Sequence, residues 1–284
     1  MIDLHTHSTA SDGTMTPEEI VGHAAAVGVT AFALTDHDTV DGVDRAILAG
    51  KKVGVQVVPG IELEVSVPDE DAVAGTCHLL GLDLADWGPS LGARLSSLVE
   101  GRESRNRRIV GRMQQAGIDV DYDELAAYAP EGIVARPHIA RYLVDHNIAD
   151  DEMHAFREYL GEFGAFYESR DVLTLEAAIG IIHDAGGKAI LAHPHTLYVS
   201  RSGLTDRLIR WSRRGLDGVE AFHSNARYPD CVRIQATALE LGMLVTAGSD
   251  FHGLHRPDRR LGRTADGRKI DALFLDPFVG ARVR

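Results

Sequence analysis

The chain has 284 residues, of which 44% are hydrophobic, and a formal net charge of −13 at pH 7. This charge argues against broad binding to long nucleic acid or to an anionic membrane, but it is compatible with a small phosphorylated ligand. Apolar runs fall short of the roughly 18 residues of a membrane span, and two cysteines cannot build a disulfide framework, so we expect a cytoplasmic protein.

Seven short apolar or β-branched runs, each followed by polar residues, predict β-strands. They cover residues 1–7, 31–36, 55–62, 77–82, 188–193, 218–222 and 244–250. Helical patterns separate several of these runs, which is typical of parallel βα units. The sequence therefore predicts an α/β fold, and one barrel can use a chain of this length.

Two helices are clear from their end signals. Thr16 fits an N-cap, Pro17 fits the first helical position, Glu19 completes a capping box, and Gly28 ends the helix. A second helix is predicted near residues 175–185.

The stretch 91–168 differs from the rest, because it is helical in pattern and has no convincing buried strand. We predict that it is a helical insertion into a barrel formed by residues 1–90 and 169–284. Its first part is rich in arginine, which we interpret as the solvated face of an amphipathic helix. These arginines are Arg102, Arg105, Arg107, Arg108 and Arg112.

Histidines and carboxylates collect near the strand ends. They are His5, His7, Asp12, His37, Glu62, His78, His193, Asp250 and His252. In parallel barrels the C-terminal strand ends share one mouth. Each residue alone is more often a hydrogen-bonded structural group, but the joint pattern predicts a metal centre, and nine ligands exceed the needs of one ion. Histidine and carboxylate without thiolate favour Mn²⁺, or else Zn²⁺ or Fe²⁺, over a centre of Mg²⁺ alone.

The segments "DLHTHSTASDG", "ALTDHDTV", "PGIELEV", "CHLLGL", "AHP" and "GSDFH" together resemble the polymerase-and-histidinol-phosphatase (PHP) family of metal-dependent phosphoesterases. The resemblance implies a distorted (β/α)7 TIM-like barrel. Within the family the chain is similar to bacterial enzymes that act on 3′,5′-nucleotide bisphosphates and short 5′-phosphorylated oligonucleotides, which carry a helical insertion at the same place.

The resemblance also implies two or three divalent ions. His5, His7 and Asp250 would hold the first, with Glu62 as a bridge; Asp12, His37 and His252 would hold the second; Glu62, His78 and His193 would hold the third. Among these ligands, His193 and Asp250 are our candidate catalytic residues.

The expected reaction is hydrolysis of a phosphomonoester of a small nucleotide, with the 3′-phosphate of a 3′,5′-bisphosphate as the leading substrate and a metal-bound hydroxide as the nucleophile. A 5′→3′ exonuclease on short oligonucleotides and a histidinol phosphate phosphatase are alternatives that share this chemistry.

Substrate contacts are expected from Arg136 and His138, because an Arg at a helix start receives phosphate well and the resembling enzymes have a similar pair in the insertion. His195 and His223 are candidates for donating a proton to the leaving group. At positions 195 and 196 the resembling enzymes often have Gly and Arg, whereas this chain has His195 and Thr196. The arginines of 102–112 could alternatively grip a second phosphate.

Two other classes of function remain open. Some related domains in polymerases are noncatalytic modules, but such modules commonly lose ligands that this chain keeps. Metal-dependent amidohydrolases commonly bridge their metals with a carbamylated Lys, whereas Glu62 takes that place here.

Overall fold

The computed structural model describes residues 1–129, 134–161, 163–168 and 172–278, and its strands curl into a nearly closed barrel. They are β1 (Ile2–Thr6), β2 (Ala31–Leu34), β3 (Gln56–Ser66), β4 (Cys77–Leu82), β5 (Leu173–Thr174), β6 (Lys188–Leu191), β7 (Gly218–His223) and β8 (Leu244–Gly248). The order around the barrel is β1-β2-β3-β4-β6-β7-β8, and the short β5 pairs with β3 off this path. Just beyond β8, the Asp250 amide donates to the His5 carbonyl at 2.9 Å. The predicted seven-stranded TIM-like barrel is confirmed.

Strand β4 runs against its neighbours. It is antiparallel to β3 and to β6, whereas the other neighbours on the barrel path are parallel. The prediction of parallel units is therefore wrong at β4. The connection 67–76 is shorter than the crossover of a dozen or more residues that parallel pairing needs. Because β4 is reversed, its first residues lie at the same end of the barrel as the carboxyl ends of the other strands.

The barrel helices are α1 (Pro17–Val27), α2 (Val43–Val53), α7 (Leu175–Asp184), α8 (Arg201–Arg213) and α9 (Tyr228–Glu240). The predicted capping box of α1 is present: the Glu19 amide donates to Thr16 Oγ1 at 3.2 Å, and the Thr16 amide donates to Glu19 Oε2 at 2.8 Å. Gly28 ends α1 with a φ of 81°, as expected of a glycine C-cap.

The stretch between β4 and β5 contains α3 (Pro89–Gln115), α4 (Tyr122–Ala126), α5 (Arg136–Asp145) and α6 (Glu152–Ala155), and no strand among its described residues. From Ile109 onward its buried apolar side chains, which include Met113, Ile139 and Leu143, form a hydrophobic cluster separate from that of the barrel, whereas Leu91 and Leu95 at the start of α3 pack in the barrel core. The division at 91–168 stays a prediction, and residues 169–171 and 279–284 of the predicted barrel lie outside the described residues.

None of the helices in the described part of the chain is long and apolar enough to cross a bilayer.

Candidate metal centre

The nine predicted ligands lie together at the mouth of the barrel, the end where the parallel strands finish. Glu62, at 1% exposure, is the central residue of this group. Its two carboxylate oxygens lie within 3.3 Å of ring nitrogens of His5, His7, His37, His78 and His193. A carboxylate that meets five imidazoles has the geometry of a bridging ligand.

Around Glu62 the potential ligand atoms form overlapping groups, within each of which all atoms lie within 4.8 Å of one another. One group is His5, His7, Glu62 and Asp250, a second is His7, Asp12, His37 and His252, and a third is His37, Glu62 and His78. His193 lies next to the third group, on the side of His78. The Nε2 of His193 and the Nδ1 of His78 each lie 2.8 Å from Glu62 Oε1. These groups follow the sets that the family resemblance implies, with two differences: His7 belongs to both of the first two groups, and the third group contains His37 where the resemblance implies His193.

The spacing within the groups fits divalent ions. His7 Nε2 lies 3.2 Å from Glu62 Oε2 and from Asp250 Oδ1, and His5 Nε2 lies 3.4 Å from Asp250 Oδ1. Two ligand atoms about 2.1 Å from one ion are about 3.0–3.4 Å apart. In addition, the Nδ1 atom of His7 is buried and makes no hydrogen bond among the described residues. An unpartnered buried nitrogen costs about 1–3 kcal/mol, so both observations favour bound metal.

The electrostatics of the cluster attract cations. Burial alone would raise the pKa of Glu62, Asp12 and Asp250, but the neighbouring histidines hold all three well below their usual values, so the carboxylates are charged. Burial alone would lower the pKa of His7, yet Asp250 and Glu62 raise it to about 10. Divalent ions bound here would supply that positive charge in place of protons.

The backbone adopts unusual conformations at and beside the residues of the cluster. Asp38, His193 and Asp250 have φ values of 58°, 26° and 55°, in the left-handed region that residues other than glycine seldom adopt. Such strain concentrates at functional sites. Gly248 allows β8 to approach β1, because a Cβ at this position would lie 2.3 Å from the Cβ of His5 and 2.6 Å from Glu220 Oε1.

Glu220 on β7 is a residue of the cluster that the sequence analysis missed. It is fully buried, its Oε1 lies 3.1 Å from His5 Nδ1, and its Oε2 accepts the His193 amide at 2.8 Å. A proton on His5 Nδ1 leaves Nε2 free to face the cluster, which is how outer carboxylates orient metal-binding histidines. The available signal was one charged residue inside the apolar run "GVEAF".

The predicted substrate-binding residues line or adjoin the same mouth. Arg136 begins α5 and shares a cavity wall with His37 and His78. His138 is buried, its Nδ1 accepts the Ala135 amide at 3.0 Å, and burial lowers its pKa to about 4.

His195 and His223 have different surroundings. Both line a cavity of about 490 Å³ that opens over the cluster, together with Asn225. The Nδ1 of His195 is buried without a hydrogen bond among the described residues, and burial lowers the pKa of this ring to about 4. His223 is already engaged, since its Nδ1 accepts the Asn225 amide at 3.0 Å and its Nε2 lies 3.3 Å from Asp250 Oδ2.

The arginines of α3 divide into two sets. Arg107, Arg108 and Arg112 are exposed, as expected of a solvated face. Arg102 and Arg105 are each 5% exposed, so for them that interpretation is wrong. Their side of α3 packs over the mouth, where Arg102 donates to Asp38 Oδ2 at 2.5 Å. The sequence analysis also missed Arg256 and Arg259, which line the mouth from the segment after β8.

Known proteins resemble this chain over nearly its whole length. The PHP domain pattern matches residues 3–174. A 5′-3′ exoribonuclease from Haemophilus influenzae is 35% identical over 250 residues, which cover 88% of this chain and 89% of that relative. A 3′,5′-nucleoside bisphosphate phosphatase from Chromobacterium violaceum is 34% identical over 286 residues, which cover 97% and 98%.

A solved structure shares the fold. The crystal structure of a Bifidobacterium adolescentis protein, described as a metal-dependent phosphoesterase, superposes with a TM-score of 0.85 at 26% identity and covers 98% of this chain and 95% of its own.

Proposed function

This chain belongs to the PHP family, and from that premise we propose that it is a metal-dependent phosphatase that removes the 3′-phosphate from a small 3′,5′-nucleotide bisphosphate. The observation that supports the proposal is the cluster around Glu62, in which the nine expected ligands lie together beneath a mouth lined by arginine and histidine. The Chromobacterium violaceum relative, which matches nearly end to end, is named for this substrate class.

We assign the cluster to two or three divalent ions, with Mn²⁺ as the first choice and Zn²⁺ or Fe²⁺ as alternatives. When bound, such ions activate water for attack and stabilise the negative charge that develops on the phosphate oxygens. Their ligands would be His5, His7, Asp12, His37, Glu62, His78, His193, Asp250 and His252.

The chain's own residues would position the metal ligands and the substrate. A proton on His223 Nε2 would bond Asp250 Oδ2 at 3.3 Å, while Asp250 Oδ1 remains directed at His5 and His7. We assign the catalytic roles to His193 and Asp250, because His193 Nε2 lies 2.8 Å from Glu62 Oε1 and Asp250 Oδ1 lies 3.2 Å from His7 Nε2, within the same cluster. His195 lines the open cavity beside them, where its neutral ring would bind the substrate through a hydrogen bond.

Residues of the insertion complete the mouth. Arg136 and His138 come from α5 and would bind phosphate oxygens. We propose that residues 91–168 act as a cover over the barrel mouth, because α3 and α5 both contribute to the cavity above the cluster.

A 5′→3′ exonuclease that trims short 5′-phosphorylated oligonucleotides is the second candidate, favoured by the identity to the Haemophilus influenzae relative. The purified protein, loaded with Mn²⁺, would be assayed for phosphate or nucleotide release from adenosine 3′,5′-bisphosphate, a 5′-phosphorylated oligoribonucleotide and histidinol phosphate. We expect the bisphosphate to have the highest kcat/KM and chelation to abolish turnover. A higher kcat/KM for the oligonucleotide would establish the second candidate, and no release from any phosphate ester would overturn both.

A further inference from the structure

Two buried aspartates stand close to metal ligands in the chain but are not members of the cluster. Asp3 on β1 and Asp36, which follows β2, are 0% and 1% exposed. Neither belongs to a ligand group among the described residues. Both oxygens of each carboxylate instead accept hydrogen bonds from the protein. Because a buried charge needs such partners, the groups that donate to these two carboxylates are held in place.

Asp3 holds the backbone next to Asp250, a ligand of the first ion. Its Oδ2 accepts the Ser249 hydroxyl at 2.5 Å, and its Oδ1 accepts the Ser249 amide at 2.9 Å. The same carboxylate accepts the amides of His5 and Gly262 at 3.2 and 2.7 Å. Asp250 directly follows Ser249 and has a φ of 55°, a conformation that persists only where the surrounding structure enforces it. The bonds to Asp3 supply that constraint on one side of Asp250.

Asp36 holds the turn that carries Asp12, a ligand of the second ion. Its Oδ1 accepts the Ser8 amide at 2.7 Å and the Ser11 hydroxyl at 2.6 Å, and its Oδ2 accepts the Ser8 hydroxyl at 2.7 Å. The turn also closes on itself, since the amides of Ser11 and Gly13 donate to the Ser8 carbonyl at 3.1 and 2.9 Å. Because Asp12 directly follows Ser11, the bonds to Asp36 fix the backbone from which its carboxylate extends.

In both places a buried aspartate binds the serine that precedes a ligand aspartate. We propose that Asp3 and Asp36 are positioning residues, each of which sets the affinity of the protein for one ion. Asp3 acts on the first ion through Asp250, and Asp36 acts on the second ion through Asp12. The two carboxylates bind different segments, so each acts on its own ion. The inference rests on the metal centre of the proposed function and not on its substrate.

The test asks which ion each carboxylate affects. Bound Mn²⁺ is counted at a series of free concentrations set by a chelator, which gives the dissociation constant of each ion. In Asp12→Asn, which weakens the second ion, adding Asp3→Asn should weaken a further ion about 10- to 100-fold, whereas adding Asp36→Asn should weaken no further ion. In Asp250→Asn the outcomes should exchange, so that only Asp36→Asn weakens a further ion. Equal effects of Asp3→Asn and Asp36→Asn in either background would overturn the proposal.

A general loss of stability is separated from positioning by a matched control. Asp71 is also a fully buried aspartate, but its carboxylate accepts hydrogen bonds from Arg210 and Trp211 on α8. Asp71→Asn should therefore keep every Mn²⁺ dissociation constant at its value in the parent protein. A loss of Mn²⁺ affinity in Asp71→Asn as large as that in the other two variants would show that the effect is general and would overturn the proposal.

Two milder variants keep the test decisive if Asp3→Asn or Asp36→Asn does not fold, as judged by circular dichroism. Ser249→Ala and Ser11→Ala each remove one hydroxyl and leave the buried carboxylate in place, and we expect the same exchange with losses of about tenfold. Phosphate release is measured separately. A wild type that binds Mn²⁺ but hydrolyses no phosphate ester would overturn the proposed function alone, an active wild type without the exchange would overturn the positioning roles alone, and a wild type that binds no Mn²⁺ would overturn both.

Discussion

His193 Nε2 lies 2.8 Å from Glu62 Oε1, although the two residues are 131 positions apart in the chain. Glu62 makes four further contacts of this kind to histidines, so its negative charge interacts with five imidazole rings of the cluster.

Replacing Glu62 by Gln keeps the volume but removes the charge that the metals need. We expect Glu62→Gln to lose bound metal and to lower phosphate release at least about 100-fold. Metal analysis and phosphate assays measure both quantities, and circular dichroism checks that the variant is folded. Glu18→Gln, at an exposed ion pair with Arg45, is the matched control. Full metal content in Glu62→Gln would disprove a bridging role for this carboxylate.

Glu220 should act on the metals through His5. In Glu220→Gln the amide can still bond one partner, but it no longer holds a proton on His5 Nδ1 as a carboxylate does. Loss of such an outer partner typically weakens metal affinity about 10- to 100-fold, and we expect a change of this size in a chelator competition titration. Metal affinity equal to that of the wild type would show that His5 keeps its orientation without the Glu220 charge.

Asp71 should stabilise the connection between β3 and β4. Its Oδ2 accepts Trp211 Nε1–H at 2.7 Å and its Oδ1 accepts Arg210 Nε–H at 2.7 Å. Asp71→Asn should lower the free energy of unfolding at pH 7 by about 1–3 kcal/mol, as measured by urea titration. Asp69→Asn, in the same turn but exposed, should change little.

The contribution of Asp71 should also depend on pH. Burial would raise the pKa of its carboxyl, but the hydrogen bonds from Arg210 and Trp211 hold the pKa below its usual value. A group with a lowered folded pKa stabilises fully above its unfolded pKa, about 3.9, and loses that contribution as pH falls through the folded value. The difference between the wild type and Asp71→Asn should therefore be constant near neutral pH and shrink below about pH 4. A difference that grows on acidification would contradict this sign.

Both thiols should be inert in the folded protein. Burial, together with the Glu64 carboxylate, raises the pKa of the Cys77 thiol to about 12, and burial also raises that of Cys231. Since the thiolate is the reactive form, a disulfide reagent at pH 8 should label native protein slowly and label both cysteines after unfolding in guanidinium. Cys231→Ser isolates Cys77, and rapid labelling of that native variant would show that Cys77 is accessible.

The positions of the seven barrel strands, the capping box of α1 and the nine clustered side chains could all be predicted from the sequence. Each of these features depends on local periodicity or on the residue types next to a strand end, and both are properties of short segments of the sequence. The outer carboxylate Glu220 could not be assigned, because a lone charge in a buried strand has no partner until the sheet brings His5 and His193 to it.

The sequence by itself determined where strands and helices form and which residue types can bind metal, since backbone preference and side-chain chemistry are properties of short segments. Only the tertiary structure decided that β4 is reversed, that Arg102 and Arg105 are buried over the mouth, and that Glu62 meets five histidines. Strand direction and the buried face of α3 depend on contacts between segments far apart in the chain, and the energy of those contacts exists only once the barrel and the insertion pack against each other.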